Sequence, residues 1–155
     1  MLWRRRFSRT RRGDFAVSLP DAERELLRGL PTQLRELLAT EDPSLERLFP
    51  PAYLNDDERN AEFARLMHME LLGKRLATLD LLEETLDADR LTEEQILAWL
   101  GSLNDTRLVI GTILDVSEDM EPDAIADDDP RFPMWVLYHF LSGLVGEIVD
   151  ALDRG

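Results

Sequence analysis

Leucine and isoleucine recur along this chain at intervals of three and four residues, in runs separated by helix start and stop signals. That period is the one an α-helix needs to bury a single face, and it leaves little room for a sheet-based fold. In the first run Leu26, Leu27, Leu30, Leu34, Leu37 and Leu38 form one stripe from about Pro20 to Ala39. Ser18 and Asp21 are spaced as a capping box ahead of it. Gly29 and Pro31 fall inside the run while the stripe stays in phase across them, which predicts a kinked helix rather than two unrelated ones. Asn55, with Glu58 three residues on, is placed to cap a second and longest helix reaching about Leu86. At 1.5 Å per residue that helix is roughly 45 Å long. Thr92-Glu93-Glu94-Gln95 is a further capping box, opening a helix from Glu93 to about Leu114. A last helix is predicted from Arg131 to Asp153. The expected fold is all-α: one compact bundle of four main helices in a 155-residue chain of single-domain size.

Other segments do not follow the helical period. In 13–19 Phe15, Val17 and Leu19 alternate in the manner of a short β-strand. A lone strand cannot satisfy its own hydrogen bonds, so this segment pairs with another, pairs with a second subunit, or stays merely extended. Residues 40–54 read as a connector with a turn near Pro43–Leu48. Its Leu48, Phe49, Tyr53 and Leu54 are apolar enough to fold back over the core. Residues 115–130 read as an acidic loop. The first half of the last helix, Met134 to Leu141, is apolar on every side, so it is enclosed either by neighbours or by a second subunit. Trp135, Tyr138 and Phe140 are therefore candidate interface residues, and a homodimer is one expected assembly.

Charge is distributed very unevenly. Six arginines, Arg4, Arg5, Arg6, Arg9, Arg11 and Arg12, fall within the first twelve residues. Removing them from the 18 basic residues leaves 12 against 32 acidic ones, so the remainder carries a formal −20. This pattern predicts a flexible arginine-rich arm over 1–12, attached to a single helical domain over 13–155. The arm suits sequence-tolerant contact with DNA or RNA phosphates, with Trp3 and Phe7 available to stack. Its plainer reading is a solubilising tail, or one folded onto the acidic body. No helix–turn–helix spacing with a basic second helix is present.

The chain contains no cysteine, which excludes disulfides, thiolate metal sites and thiol redox chemistry within it. His68 and His139 have no ligand-type neighbours at helical spacing, and the carboxylates between Glu118 and Asp129 lack the glycine of a calcium loop. No phosphate-binding loop, dinucleotide motif or nucleophile elbow occurs. These readings predict no catalytic residue, metal or cofactor, and a cytoplasmic protein that neither carries a secretory signal nor spans a membrane. The one polar interruption of an apolar helix is Asn104, Asp105 and Arg107. Arg107 can reach a carboxylate such as Glu70 on the long helix, a buried pair that would fix helix register.

Three blocks, taken in order, carry a resemblance. They are Asp42-Pro-Ser-Leu-Glu-Arg-Leu-Phe-Pro-Pro-Ala-Tyr53, then Glu62-Phe-Ala-Arg-Leu66, and Trp99-Leu-Gly-Ser-Leu-Asn-Asp-Thr-Arg-Leu-Val-Ile-Gly111. Together with the Asp-Asp-Asp-Pro130 stretch before a Tyr138-containing helix, they resemble an actinobacterial family of unknown-function domains. The family's described type is an oxidation-sensing transcriptional regulator. The resemblance implies a non-enzymatic regulator acting near transcription with a protein partner. It also implies redox sensing through cysteines near the N-terminus, where this chain has arginines instead. A plain interaction module with no nucleic-acid binding is the alternative.

Overall fold

The computed structural model describes residues 5–49, 58–117, 120–121 and 123–154. Among these, helices dominate: α1 (Asp21–Arg28), α2 (Leu30–Leu38), α3 (Glu58–Glu84), α4 (Glu93–Leu114) and α5 (Phe132–Asp153). Beside them lies a small sheet of β1 (Phe7–Arg9), β2 (Phe15–Val17) and β3 (Arg90–Leu91). The all-α expectation holds for the body, and the predicted strand is β2. Its partners were not anticipated, because one lies in the presumed arm and the other is only two residues long.

The sheet is antiparallel in the order β1-β2-β3, with Phe7 opposite Val17, Arg9 opposite Phe15, and Phe15 opposite Leu91. This register places Phe7, Phe15, Val17 and Leu91 on one buried face. The β1–β2 turn closes with the Gly13 amide on the Thr10 carbonyl at 3.1 Å and needs a positive φ of 88° at Gly13, where a side chain would be strained. Within the segment expected to be a flexible arm, Phe7 to Arg9 are therefore an edge strand whose Phe7 is 2% exposed and meets the Trp99 ring edge-on at 5.9 Å.

The first leucine run, expected as a single kinked helix, is divided at Gly29 into two helices. Helix α1 ends at Gly29 and α2 restarts at once with Pro31 in its first turn, where a missing N–H costs nothing. Ser18 does not cap α1; the cap position is Pro20, without a side-chain bond, and the Ser18 amide donates to the Arg6 carbonyl at 2.7 Å instead. Thr92 and Gln95 do form the capping box, at 3.1 and 2.9 Å. The Asn55 cap lies outside the described residues.

Helix α4 is the centre of the bundle. It packs on α3 and α5, and its Trp99 is fully buried with its indole N–H on the Thr85 hydroxyl at 2.6 Å. Buried Arg24 ties down the turn that follows α3, donating to the carbonyls of Leu86 (2.6 Å) and Ala88 (3.0 Å), acceptors that would otherwise need another partner. Helix α5 is, at 22 residues, long and apolar enough to cross a membrane by length and composition alone. No run of that length and hydropathy was expected from the sequence. Here Trp135, Leu141, Leu144, Ile148 and Ala151 give α5 a buried stripe within the main core.

Candidate functional site

Two polar constellations were expected to matter, and the structure rearranges both. The first is the arginine segment. Arg6 grips Glu23 of α1 with two parallel bonds, Nε to Oε1 and Nη2 to Oε2, each 2.7 Å, and donates Nη1 to Glu147 of α5 at 2.8 Å. This fork geometry is the strong form of an ion pair. The Arg6 hydrogen bond holds the Glu23 carboxyl below its usual range, against a smaller opposing push from burial. Arg9 donates to the Leu152 carbonyl at 3.1 Å, at the C-terminal end of α5, and lies 4.8 Å over the Phe15 ring. The two guanidiniums thus staple β1 to α1 and α5. Arg5, Arg11 and Arg12 are exposed. Arg4 lies outside the described residues.

Between β1 and the end of α5 runs a cleft of about 280 Å³ lined by Arg5, Ser8, Arg9, Glu147, Asp150 and Arg154. Both charge signs line it. As a phosphate cradle it is compromised by its two carboxylates and by the negative end of the α5 dipole.

The second constellation sits where α3 enters the body. Asp105, 5% exposed, accepts from Arg75 Nη1 at 2.6 Å. Arg75 also donates twice to the Leu48 carbonyl, at 3.1 and 2.6 Å. Burial pushes the Asp105 carboxyl up, and Arg75 offsets part of that shift. Arg107 does not reach Glu70. It turns back on Asn104 Oδ1 at 3.2 and 2.7 Å within its own helix, while Glu70 is exposed on α3. The pair that does join α3 and α4 is Arg75 with Asp105, in place of the expected Arg107 with Glu70. Arg75 had a legible signal: it interrupts the apolar run Leu71, Leu72, Leu76 and Leu79. Glu23 and Glu147 had none, since they meet Arg6 only through tertiary folding.

The proposed interface residues divide. Trp135 is 2% exposed and belongs to the core, so it is not a surface group. Tyr138 and Phe140 are half-buried against that core, Tyr138 stacking on Trp135 at 6.0 Å. Tyr138 also crowds Gly111, where a Cβ would lie 3.2 Å from its ring. His68 is exposed and stacks on Phe49 at 4.1 Å; His139 is exposed beside Trp135 at 4.3 Å. Among the described residues no three His, Asp or Glu side chains converge as metal ligands.

The molecule is thus a helical bundle closed at one end by a three-stranded sheet and held there by arginine–carboxylate clamps. No solved structure matches it. The chain belongs to the family of the domain of unknown function DUF2017, whose pattern matches residues 4–152. It is 30% identical over 129 residues to the AosR protein of Mycobacterium leprae, covering 72% of this chain and 59% of that protein. It is also 30% identical over 128 residues to the oxidative stress regulator AosR of Mycobacterium tuberculosis and of Mycobacterium bovis, covering 72% of this chain and 58% of each. The chain therefore spans under two thirds of the length of these relatives. Their names suggest a regulatory role.

Proposed function

We propose that this protein is a non-enzymatic regulator acting near transcription through contact with another protein, without thiol redox sensing. The similarity to oxidative stress regulators over 72% of the chain carries this reading. The absence of cysteine from all 155 residues removes the thiol as this chain's own sensor. The clamps favour a protein partner over nucleic acid. Arg6 and Arg9 are engaged by the body, which leaves Arg5, Arg11 and Arg12 as the exposed cations of the described N-terminal segment, on a chain of net charge −14. Such a surface repels phosphate backbones beyond the reach of three side chains.

Two measurements test this. Transcript profiles of the native host with the gene removed and restored should differ in a defined gene set; identical profiles would overturn the regulatory reading. A DNA titration across salt concentrations separates the modes of action. The exposed cations of the described arm, Arg5, Arg11 and Arg12, together contribute only about −3 to the log–log slope. Tight binding whose slope the triple variant R5A/R11A/R12A makes shallower by about 3 would restore the arm as the functional element and refute action through protein contact alone.

A further inference from the structure

Helix α3 has two halves with different surroundings. Its C-terminal half carries Leu79 and Leu82 in the core, at 0% and 1% exposure. Its N-terminal half carries Phe63, Leu66 and Met69 at 63%, 59% and 62% exposure, the three most exposed large apolar side chains of the described residues. Their spacing of three residues gathers them on one side of the helix, and Gly73 continues that face with open space where a Cβ would stand. Ala77 follows, also exposed. Glu62 on one end and Asp80 on the other bound the strip, both exposed and acidic.

We infer that this strip is the contact surface for a second copy of the chain, the two α3 helices pairing in parallel about a twofold axis. Placing Leu66 and Gly73 at successive a positions of a heptad puts Met69 at d, Arg65 at g and Glu70 at e. In a parallel pair the g residue of one helix faces the e residue five positions further along its partner. Arg65 therefore meets the partner's Glu70, and Glu70 the partner's Arg65. Both side chains are exposed, and neither has an ion-pair partner within 4 Å among the described residues. The same face is thus complementary to itself in charge as well as apolar, as a twofold contact requires. Small residues at 73 and 77 let the backbones close. An acidic body of net charge −14 disfavours self-association elsewhere, and the reciprocal pairs counter that repulsion here.

The strip is only about four turns long, so it covers less than the roughly 800 Å² per partner of a standard interface. A reversible dimer in the micromolar range or weaker is the expected result. Sedimentation equilibrium of the full chain should show a mass rising with concentration from 17.9 kDa towards twice that value. R65E and E70R should each weaken the dimer about tenfold, since each creates two like-charge contacts. R65E/E70R together should restore it to within about twofold. Residues 65 and 70 are five apart and do not touch within one helix, so rescue reports a contact between chains. The absence of cysteine allows a second, geometric test with G73C. In a parallel pair the two thiols face each other and oxidise to a covalent dimer; in an antiparallel pair they are too far apart. A mass of 17.9 kDa at every concentration, failure of the double swap to rescue, or no cross-link through G73C would each overturn the inference.

Discussion

The segment Arg5–Arg9 and the segment Phe63–Met69 end up in each other's expected places. The first is the most basic stretch of the chain and is tied into the body by β1, with Phe7 in the core and Arg6 clamped on two helices. The second is rich in large apolar groups and faces solvent. The difference teaches that composition ranks side chains by their cost of transfer from water, while position decides whether compensation is available. An arginine next to two carboxylates and a helix end finds partners for its donors. Phe63, on the outward face of α3, remains 63% exposed.

The sharpest way to break this contrast is at Phe7. If residues 1–12 were a free arm, Phe7→Ala would be silent. As a buried ring against Trp99, its truncation is expected to cost about 3–5 kcal/mol in denaturant unfolding. A change under about 1 kcal/mol would return the segment to the status of a tail.

Next in size is the seated half of α3. Asp105→Ala leaves Arg75 with its two bonds to the Leu48 carbonyl but no counter-ion, an expected loss of about 2–3 kcal/mol for a pair buried on one side only. Asp105→Asn should cost less. Its pH behaviour follows from sign. The folded-state pKa of Asp105 lies above the ordinary 3.8 because burial penalises the charged form. Its favourable contribution is therefore present below that value and is lost as pH rises through the folded pKa. Replacing Asp105 by Asn should remove this component, so the ratio of variant to parent stability improves from pH 4 towards neutrality. A variant that loses ground over that interval would contradict the burial argument.

The Arg6 clamp gives a smaller effect of opposite sign. Glu23 is held below its ordinary 4.5, so its contribution is present above that value and is lost as pH falls through the lower folded pKa. Arg6→Ala should cost about 1–2 kcal/mol at neutral pH, discounted because the side chain is a third exposed. It should also flatten the acid limb of the stability profile below pH 4.5. Arg11→Ala and Arg12→Ala, on exposed turn positions, should stay within about 0.5 kcal/mol. Equal losses for all three would mean that the clamp is no stronger than a surface charge.

The helices were legible because their signals are local. Thr92 and Gln95 form the box their spacing announces, and Pro31 breaks the first run where its missing N–H requires. The sheet was half legible: the alternation of Phe15, Val17 and Leu19 exposed β2. β1 was hidden behind arginines and β3 is too short for any period to show. The pairing of Arg6 with Glu147 spans 141 residues, and nothing in either neighbourhood marks it. Arg107 went astray for the converse reason. A nearer acceptor, Asn104 on the same helix, competes with any cross-helix partner and costs less side-chain entropy to reach.

The smallest stability effect is expected in the outer half of α3, and it is the most informative about the contrast. Leu66→Ser removes an apolar group that is 59% exposed in the single chain. Truncating a core leucine would cost about 2–5 kcal/mol; this one should change unfolding stability by no more than about 0.5 kcal/mol when measured in dilute solution. At high protein concentration the parent gains stability through mass action on any assembled form, while the variant does not. The difference between the two should therefore widen with concentration. A constant difference of several kcal/mol would show that Leu66 is packed within its own chain, and the two segments would no longer stand in opposition.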